Sequence, residues 1–181
     1  MKHIVYLSYD GILDPLGQSQ ILPYISGISK VNEYKLTIIS FEKSHNLKKL
    51  KSNISKNLMA SNINWICLKY TKNPPIISTL IDLYKLNAVL IKIIKNNSID
   101  LIHARSYITS LIALRFKKTI KIPFIFDMRG FYADERIDGK IWNKNHVIYN
   151  GVYDFFKKKE TQFLQLSNHT ISLTLSGEKE I

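Results

Sequence analysis

Leu101-Ile102-His103-Ala104, then Tyr107 to Phe116, then Pro123-Phe124-Ile125-Phe126-Asp127 is the stretch whose reading decides the fold. Two short runs rich in apolar residues bracket a segment in which apolar side chains return at helical spacing. The runs show little polar alternation, so each reads as a strand covered on both faces. A strand, a helix and a second such strand make a parallel crossover unit, right-handed by default.

The alternation continues in both directions. Ile4 to Ser8 reads as a first strand, and Ser19 to Lys30 as a helix after a turn containing Asp14, Pro15 and Gly17. Lys35 to Phe41 is a second strand, Leu47 to Ala60 a Lys-faced helix and Ile63 to Tyr70 a third strand. Pro74 and Pro75 reset the chain before a helix from Ile77 to Lys95. Beyond the central unit, Met128 to Asn145 reads as a long loop with room for a short helix. Tyr149 to Leu166 is a helix and His169 to Leu175 a sixth strand. Ser176 is placed to cap a last helix with Glu178 in its first turn. The pattern predicts a Rossmann-like, doubly wound parallel sheet in a three-layer α/β/α arrangement. With no repeat or linker, 1–181 reads as one domain, and its stop at Ile181 as the end of a piece of a longer protein.

The 181 residues are 45% apolar and 22% charged, enough for a sizeable core and against disorder. The lone cysteine, Cys67, gives no disulfide framework; within Trp65-Ile66-Cys67-Leu68 it reads as a buried, inert thiol. The apolar opening meets Asp10 too early for a signal peptide. The stretch from Ile76 to Ile94 is interrupted by Asp82, Lys85, Asn87 and Lys92, whereas a spanning helix needs about 20 mostly apolar residues. A cytoplasmic protein is therefore expected.

The formal charge is +12. Lysines are scattered, with runs at Lys48, Lys49, Lys51 and Lys56, at Lys117 and Lys118, and at Lys157 to Lys159. Solvated faces are the first reading of these runs, and attraction to an anionic membrane surface is the second. No nucleic-acid partner is expected, because no helix-turn-helix or RNA-recognition signature is present. Of 26 basic residues only Arg105, Arg115, Arg129 and Arg136 are arginines. In a Lys-preferring chain, an arginine marks a place where the planar bidentate fork is needed.

In open α/β sheets, ligands bind beyond the carboxyl ends of the strands. The first such segment, Ser8-Tyr9-Asp10-Gly11 through Gly17-Gln18-Ser19, has glycines and a helix start, and reads either as a ligand loop or as a plain connection. It is neither a G-x-G-x-x-G fingerprint nor a P-loop. In His103-Ala104-Arg105-Ser106-Tyr107, the His and Arg two residues apart point to one side of a strand. His103 is either a proton carrier or a structural hydrogen bonder. Asp127-Met128-Arg129-Gly130-Phe131-Tyr132 and Ala133-Asp134-Glu135-Arg136-Ile137-Asp138-Gly139 gather carboxylates, two arginines and aromatic rings, with Trp142 close behind. That mixture suits hydroxyl-rich sugars. The alternative is a self-contained acid–arginine network that orders a loop. The dispersed histidines, His3, His45, His103, His146 and His169, argue against a metal site.

Together, Asp-Gly with Pro-Leu-Gly-Gln-Ser-Gln, His-Ala-Arg-Ser, and Phe-Asp-Met-Arg-Gly-Phe-Tyr-Ala-Asp-Glu-Arg-Ile-Asp-Gly resemble glycosyltransferase family 4, of the GT-B fold. The resemblance covers essentially the whole chain as the N-terminal, acceptor-side domain; the C-terminal nucleotide-sugar domain lies outside it. The last run resembles bacterial surface-polysaccharide transferases, although Arg129-Gly130 stands where many relatives carry His-Asp.

The resemblance implies a hexosyltransferase-type enzyme that moves a sugar from a nucleotide-sugar donor to a glycan or lipid-linked acceptor. It implies retention of configuration, no cofactor and no essential metal. The fragment alone is expected to be inactive, and a place at the inner face of the cell membrane fits its basic surface. His103, Asp127 and Arg129 are the catalytic candidates. Asp10, Gly17, Gln18, Arg105, Ser106, Tyr132, Asp134, Glu135 and Arg136 are the substrate-binding candidates, with Gly17 and Gln18 near the donor phosphates. The competing reading is a free-standing Rossmann-like module that binds a nucleotide or sugar without catalysis.

Overall fold

Apolar runs without alternation call for a sheet covered on both faces, and a computed structural model of the protein has one. It describes residues 1–31, 33–43 and 48–181, with the backbone alone at 48 and 49. His45, Leu47 (the expected first residue of the second helix) and the side chains of Lys48 and Lys49 lie outside what is described.

The chain begins with β1 (Lys2–Ser8), a π-helical turn (Gly17–Ile21) that runs into α1 (Leu22–Ser29), and β2 (Tyr34–Glu42). Next come α2 (Lys48–Ala60), β3 (Ile63–Lys69), α3 (Ile77–Asn96) and β4 (Leu101–Arg105). Then follow α4 (Ser106–Ile120), β5 (Phe124–Asp127), α5 (Tyr132–Asp138), α6 (Val147–Leu166), β6 (His169–Ile171) and α7 (Leu175–Glu180). The strands lie in the order β3-β2-β1-β4-β5-β6, the doubly wound Rossmann-like arrangement. By internal contacts the chain forms two compact units, 1–102 and 103–181, and the division falls inside β4.

In the first unit β1 pairs in parallel with β2, from Lys2↔Tyr34 to Ser8↔Ser40. On the other edge β2 pairs with β3, from Leu36↔Ile63 to Glu42↔Lys69. Every residue of β2 from Leu36 to Glu42 is buried, as a strand with two covered faces requires. One face packs Tyr6, Leu36, Ile38 and Ile63 against Ile21, Ile25, Ile54 and Leu58. His3 is a buried structural hydrogen bonder: its ring meets the Ser98 carbonyl and the Thr37 hydroxyl, each at 2.9 Å.

In the second unit β5 pairs in parallel with β6, from Ile125↔His169 to Asp127↔Ile171. Tyr107, Phe126, Phe156 and Phe163 form an aromatic core, with Tyr107 packed edge-on to Phe126 at 5.3 Å and to Phe163 at 5.9 Å.

Three expectations change. The sixth strand ends at Ile171 rather than Leu175, because β5 offers no pairing partner past Asp127. Thr174, not Ser176, caps the last helix: its Oγ1 accepts the Gly177 N–H at 3.0 Å. Cys67 is only partly buried; burial raises its thiol pKa, and a hydrogen bond with Lys51 opposes that shift.

Candidate functional site

β4 and β5 end within the second unit; strand periodicity puts His103 with Arg105 on one side of β4, and Asp127 is the last residue of β5, with Arg129 two residues beyond it. The other three side chains converge on the Asp127 carboxylate. His103 Nε2 and Arg105 Nη1 stand 3.5 and 3.8 Å from Asp127 Oδ2, and Arg129 Nη1 stands 3.6 Å from Oδ1. The Asp127 side chain is 7% exposed, and its Oδ1 accepts no hydrogen bond among the described residues. A buried carboxylate survives only with cations about it. Arg129 is the most open of the four, its side chain 24% exposed.

The backbone around this cluster is unusual on both sides. Ser106 begins α4 directly after Arg105 with φ +69°, so the strand turns into the helix within one residue. The Thr109 hydroxyl donates to the Arg105 carbonyl at 2.5 Å, and that of Ser110 to the Ser106 carbonyl at 2.7 Å, which fixes the corner. After Arg129 comes Gly130 at φ +141°, where a Cβ would run into the Glu135 carboxylate. Only glycine fits there.

The segment after Gly130 holds the short helix for which the sequence reading left room, α5. Only Ala133 of α5 is buried, too little for a visible period. Acids in the first turn and Arg136 in the last complement the helix dipole. Asp134 takes hydrogen bonds from Tyr153 at 2.8 Å and Lys157 at 2.9 Å. Burial opposes the charged Asp134, but those two donors and the Lys157 charge hold its carboxyl below the usual value. Lys157 also donates to Glu160 at 2.6 Å, and Tyr107 donates to the same carboxylate. Burial and then Glu160 push the Tyr107 phenol well above its ordinary value. Arg136 lies over the Tyr132 ring at 4.9 Å, and Tyr132 stacks on Tyr107 at 5.4 Å. Asp134 and Tyr132 thus tie α5 to α6 and α4.

The remaining candidates, Asp10, Gly17 and Gln18, belong to the first unit. A Cβ at Gly17 would strike the Gly11 carbonyl and come within 2.7 Å of the Ile12 Cα, so glycine serves backbone packing there. Gln18 Nε2 donates to the Leu13 carbonyl at 2.9 Å. Sequence reading missed Glu42, which is buried at the end of β2 and accepts the Ile12 N–H, the Leu13 N–H and the Ser40 hydroxyl. Its signal was an acid directly continuing a mostly apolar strand. Among the described residues no three His, Cys, Asp or Glu side chains are gathered as a metal site.

The fold is a Rossmann-like α/β domain of the kind found in GT-B glycosyltransferases. The comparisons bear on that fold alone, since identities are low. MurG from Acinetobacter baumannii is 8% identical with a TM-score of 0.51, over 94% of this chain and 41% of that one. A UGT transferase from Siraitia grosvenorii, solved in complex with UDP, is 12% identical with a TM-score of 0.50, over 71% of this chain and 28% of that one. The chain therefore spans less than half the length of these structures. No protein-family model and no curated protein sequence matches it.

Proposed function

We propose that this chain is the acceptor-side domain of a retaining, hexosyltransferase-type glycosyltransferase of family 4. In this reading the full-length enzyme moves a sugar from a nucleotide sugar to a glycan or lipid-linked acceptor during synthesis of a bacterial surface polysaccharide. A second domain carries the donor. The observation that carries the reading is the convergence of His103, Arg105 and Arg129 on Asp127 at the carboxyl edge of the sheet. A guanidinium beside a carboxylate supplies the paired donors and acceptors that a polyhydroxylated ligand needs.

In this role Asp127 holds the imidazole and both guanidiniums in place. His103 exchanges a proton with the acceptor hydroxyl, and Arg129, the most open member, grips the acceptor. Arg105 and Ser106 shape the floor, while Tyr132, Asp134, Glu135 and Arg136 order the wall above it. Asp10, Gly17 and Gln18 face the donor phosphates. The UDP in the Siraitia grosvenorii structure supports a nucleoside-diphosphate sugar as donor class. No metal is required.

The test is transfer from a panel of radiolabelled nucleotide sugars to extracted bacterial lipid acceptors by the full-length enzyme, with and without EDTA. Chelator-resistant transfer that keeps the donor's anomeric configuration is the expected result. Nucleotide binding by calorimetry with no transfer from any donor would instead favour a binding module.

A further inference from the structure

Helix α2 ends beside the first residues of β2 and β3, and around that junction lies a cavity of about 320 Å³. Asn62, at φ +57°, is the left-handed residue that stops the helix, and its N–H donates to the Met59 carbonyl at 3.0 Å. Leu36 and Ile63, the first register pair of β2 and β3, give the cavity a buried apolar lining. Trp65, partly buried, also lines it, and its indole N–H donates to the Ser40 hydroxyl at 2.8 Å, which fixes the ring. The exposed Ser55, Asn62 and Asn64 stand at the rim, and among the described residues their side chains make no hydrogen bond. Lys35 borders the cavity too, but its Nζ donates to Asn97 Oδ1 at 3.2 Å. β3 is the outermost strand, so backbone groups along its free edge add donors and acceptors. No residue of the strand-end cluster lines this cavity.

We propose that this cavity is a carbohydrate-binding site, which holds one neutral pyranose unit of a glycan against Trp65. A pyranose has apolar C–H faces ringed by hydroxyls, each of which donates and accepts. An aromatic ring set among amides and a hydroxyl meets both halves of that chemistry. The free side chains at the rim are uncharged, which favours a neutral sugar over a phosphate or a uronic acid, whose charge would go unpaired there. The volume sits at the small end of the roughly 300–1,000 Å³ usual for ligand sites, so a single sugar unit rather than a nucleotide fills it. Such a site retains a glycan without acting on it, and the inference does not depend on sugar transfer.

The experiment is a titration of the isotope-labelled protein with cellotetraose and with maltotetraose, followed by NMR at the indole N–H signals of Trp65 and Trp142, which Trp65→Phe assigns. The Trp65 signal is expected to shift saturably with at least one of these sugars while that of Trp142 stays put. Ser55→Tyr, which sets a ring in the cavity from an exposed helix position, should weaken binding by roughly tenfold or more with circular dichroism unchanged. Ser55→Ala with Asn64→Ala removes two hydrogen-bonding groups and should weaken it about tenfold. No Trp65 shift with either sugar, an equal shift with glycerol, or undiminished binding by Ser55→Tyr would overturn the proposal. So would a shift at Trp142 alone, which would give the sugar to the segment after α5. Because the titration reads no chemistry, a silent Trp65 leaves the transferase reading standing, and failed transfer in a protein whose Trp65 signal shifts leaves this one standing.

Discussion

Glu42 Oε1 accepts the backbone N–H of Ile12 at 2.7 Å, so the loop after β1 is held by a carboxylate from β2. Its Oε2 accepts the Leu13 N–H at 3.1 Å, and a Cβ on Gly11 would approach that oxygen to 2.7 Å. Loop amides at the carboxyl edge of such a sheet are natural anion binders; here the anion is internal. Glu42→Ala leaves two backbone donors and the Ser40 hydroxyl buried without that acceptor, and is expected to cost about 3 kcal/mol. Urea unfolding checks this; a midpoint equal to the parent's would show that Glu42 does not anchor the loop.

Gly130 makes a separate prediction about the other loop. At φ +141°, with the Glu135 carboxylate filling the place of a Cβ, Gly130→Ala meets both strain and a clash. The expected loss is about 1–3 kcal/mol. Adding Glu135→Ala removes the clash but not the strain, so the double variant should regain part of that loss and no more. Full recovery in thermal unfolding would show that backbone strain contributes nothing.

Much of this was legible in the sequence. Strand identities followed from unalternated apolar runs, and the scarcity of arginine drew attention to Arg105 and Arg129, which meet at Asp127. What stayed hidden depended on partners distant in sequence. Lys157, read as part of a solvated run, bonds Asp134 from 23 residues away and Glu160 from the next turn. Glu42 looked like the residue after a strand, when it is the strand's last and the loop's anchor. The helix over Tyr132–Asp138 buries one residue, so no local period could announce it.

Alkaline stability tests the buried phenols. Burial, then Glu160, raises the Tyr107 pKa above its ordinary 10.0, and burial likewise raises that of Tyr9. A raised folded-state pKa means that the native form keeps a proton the unfolded chain releases. Stability is then intact below pH 10 and falls as pH rises beyond it. Tyr107→Phe and Tyr9→Phe should each flatten the decline above pH 10 in denaturant melts. An alkaline limb as steep as the parent's in both variants would mean that neither phenol is responsible.

The cluster itself can be divided by two substitutions that differ in burial. Arg129 is partly open but faces the buried Asp127 carboxylate from its Oδ1 side, so Arg129→Ala should cost about 1–3 kcal/mol in unfolding and still leave a folded protein. If it grips the acceptor, acceptor KM rises at least tenfold while donor KM stays put. Asp127→Asn keeps the shape but removes the charge that His103, Arg105 and Arg129 surround. Its kcat should fall by roughly 100-fold or more, because the proton carrier and the guanidiniums lose their common anchor. Both effects are to be read in the full-length enzyme with a saturating nucleotide sugar. Parental kinetics in a folded Asp127→Asn variant would move the chemistry away from this edge of the sheet, whereas a kcat loss in Arg129→Ala without a KM change would recast Arg129 as a transition-state contact.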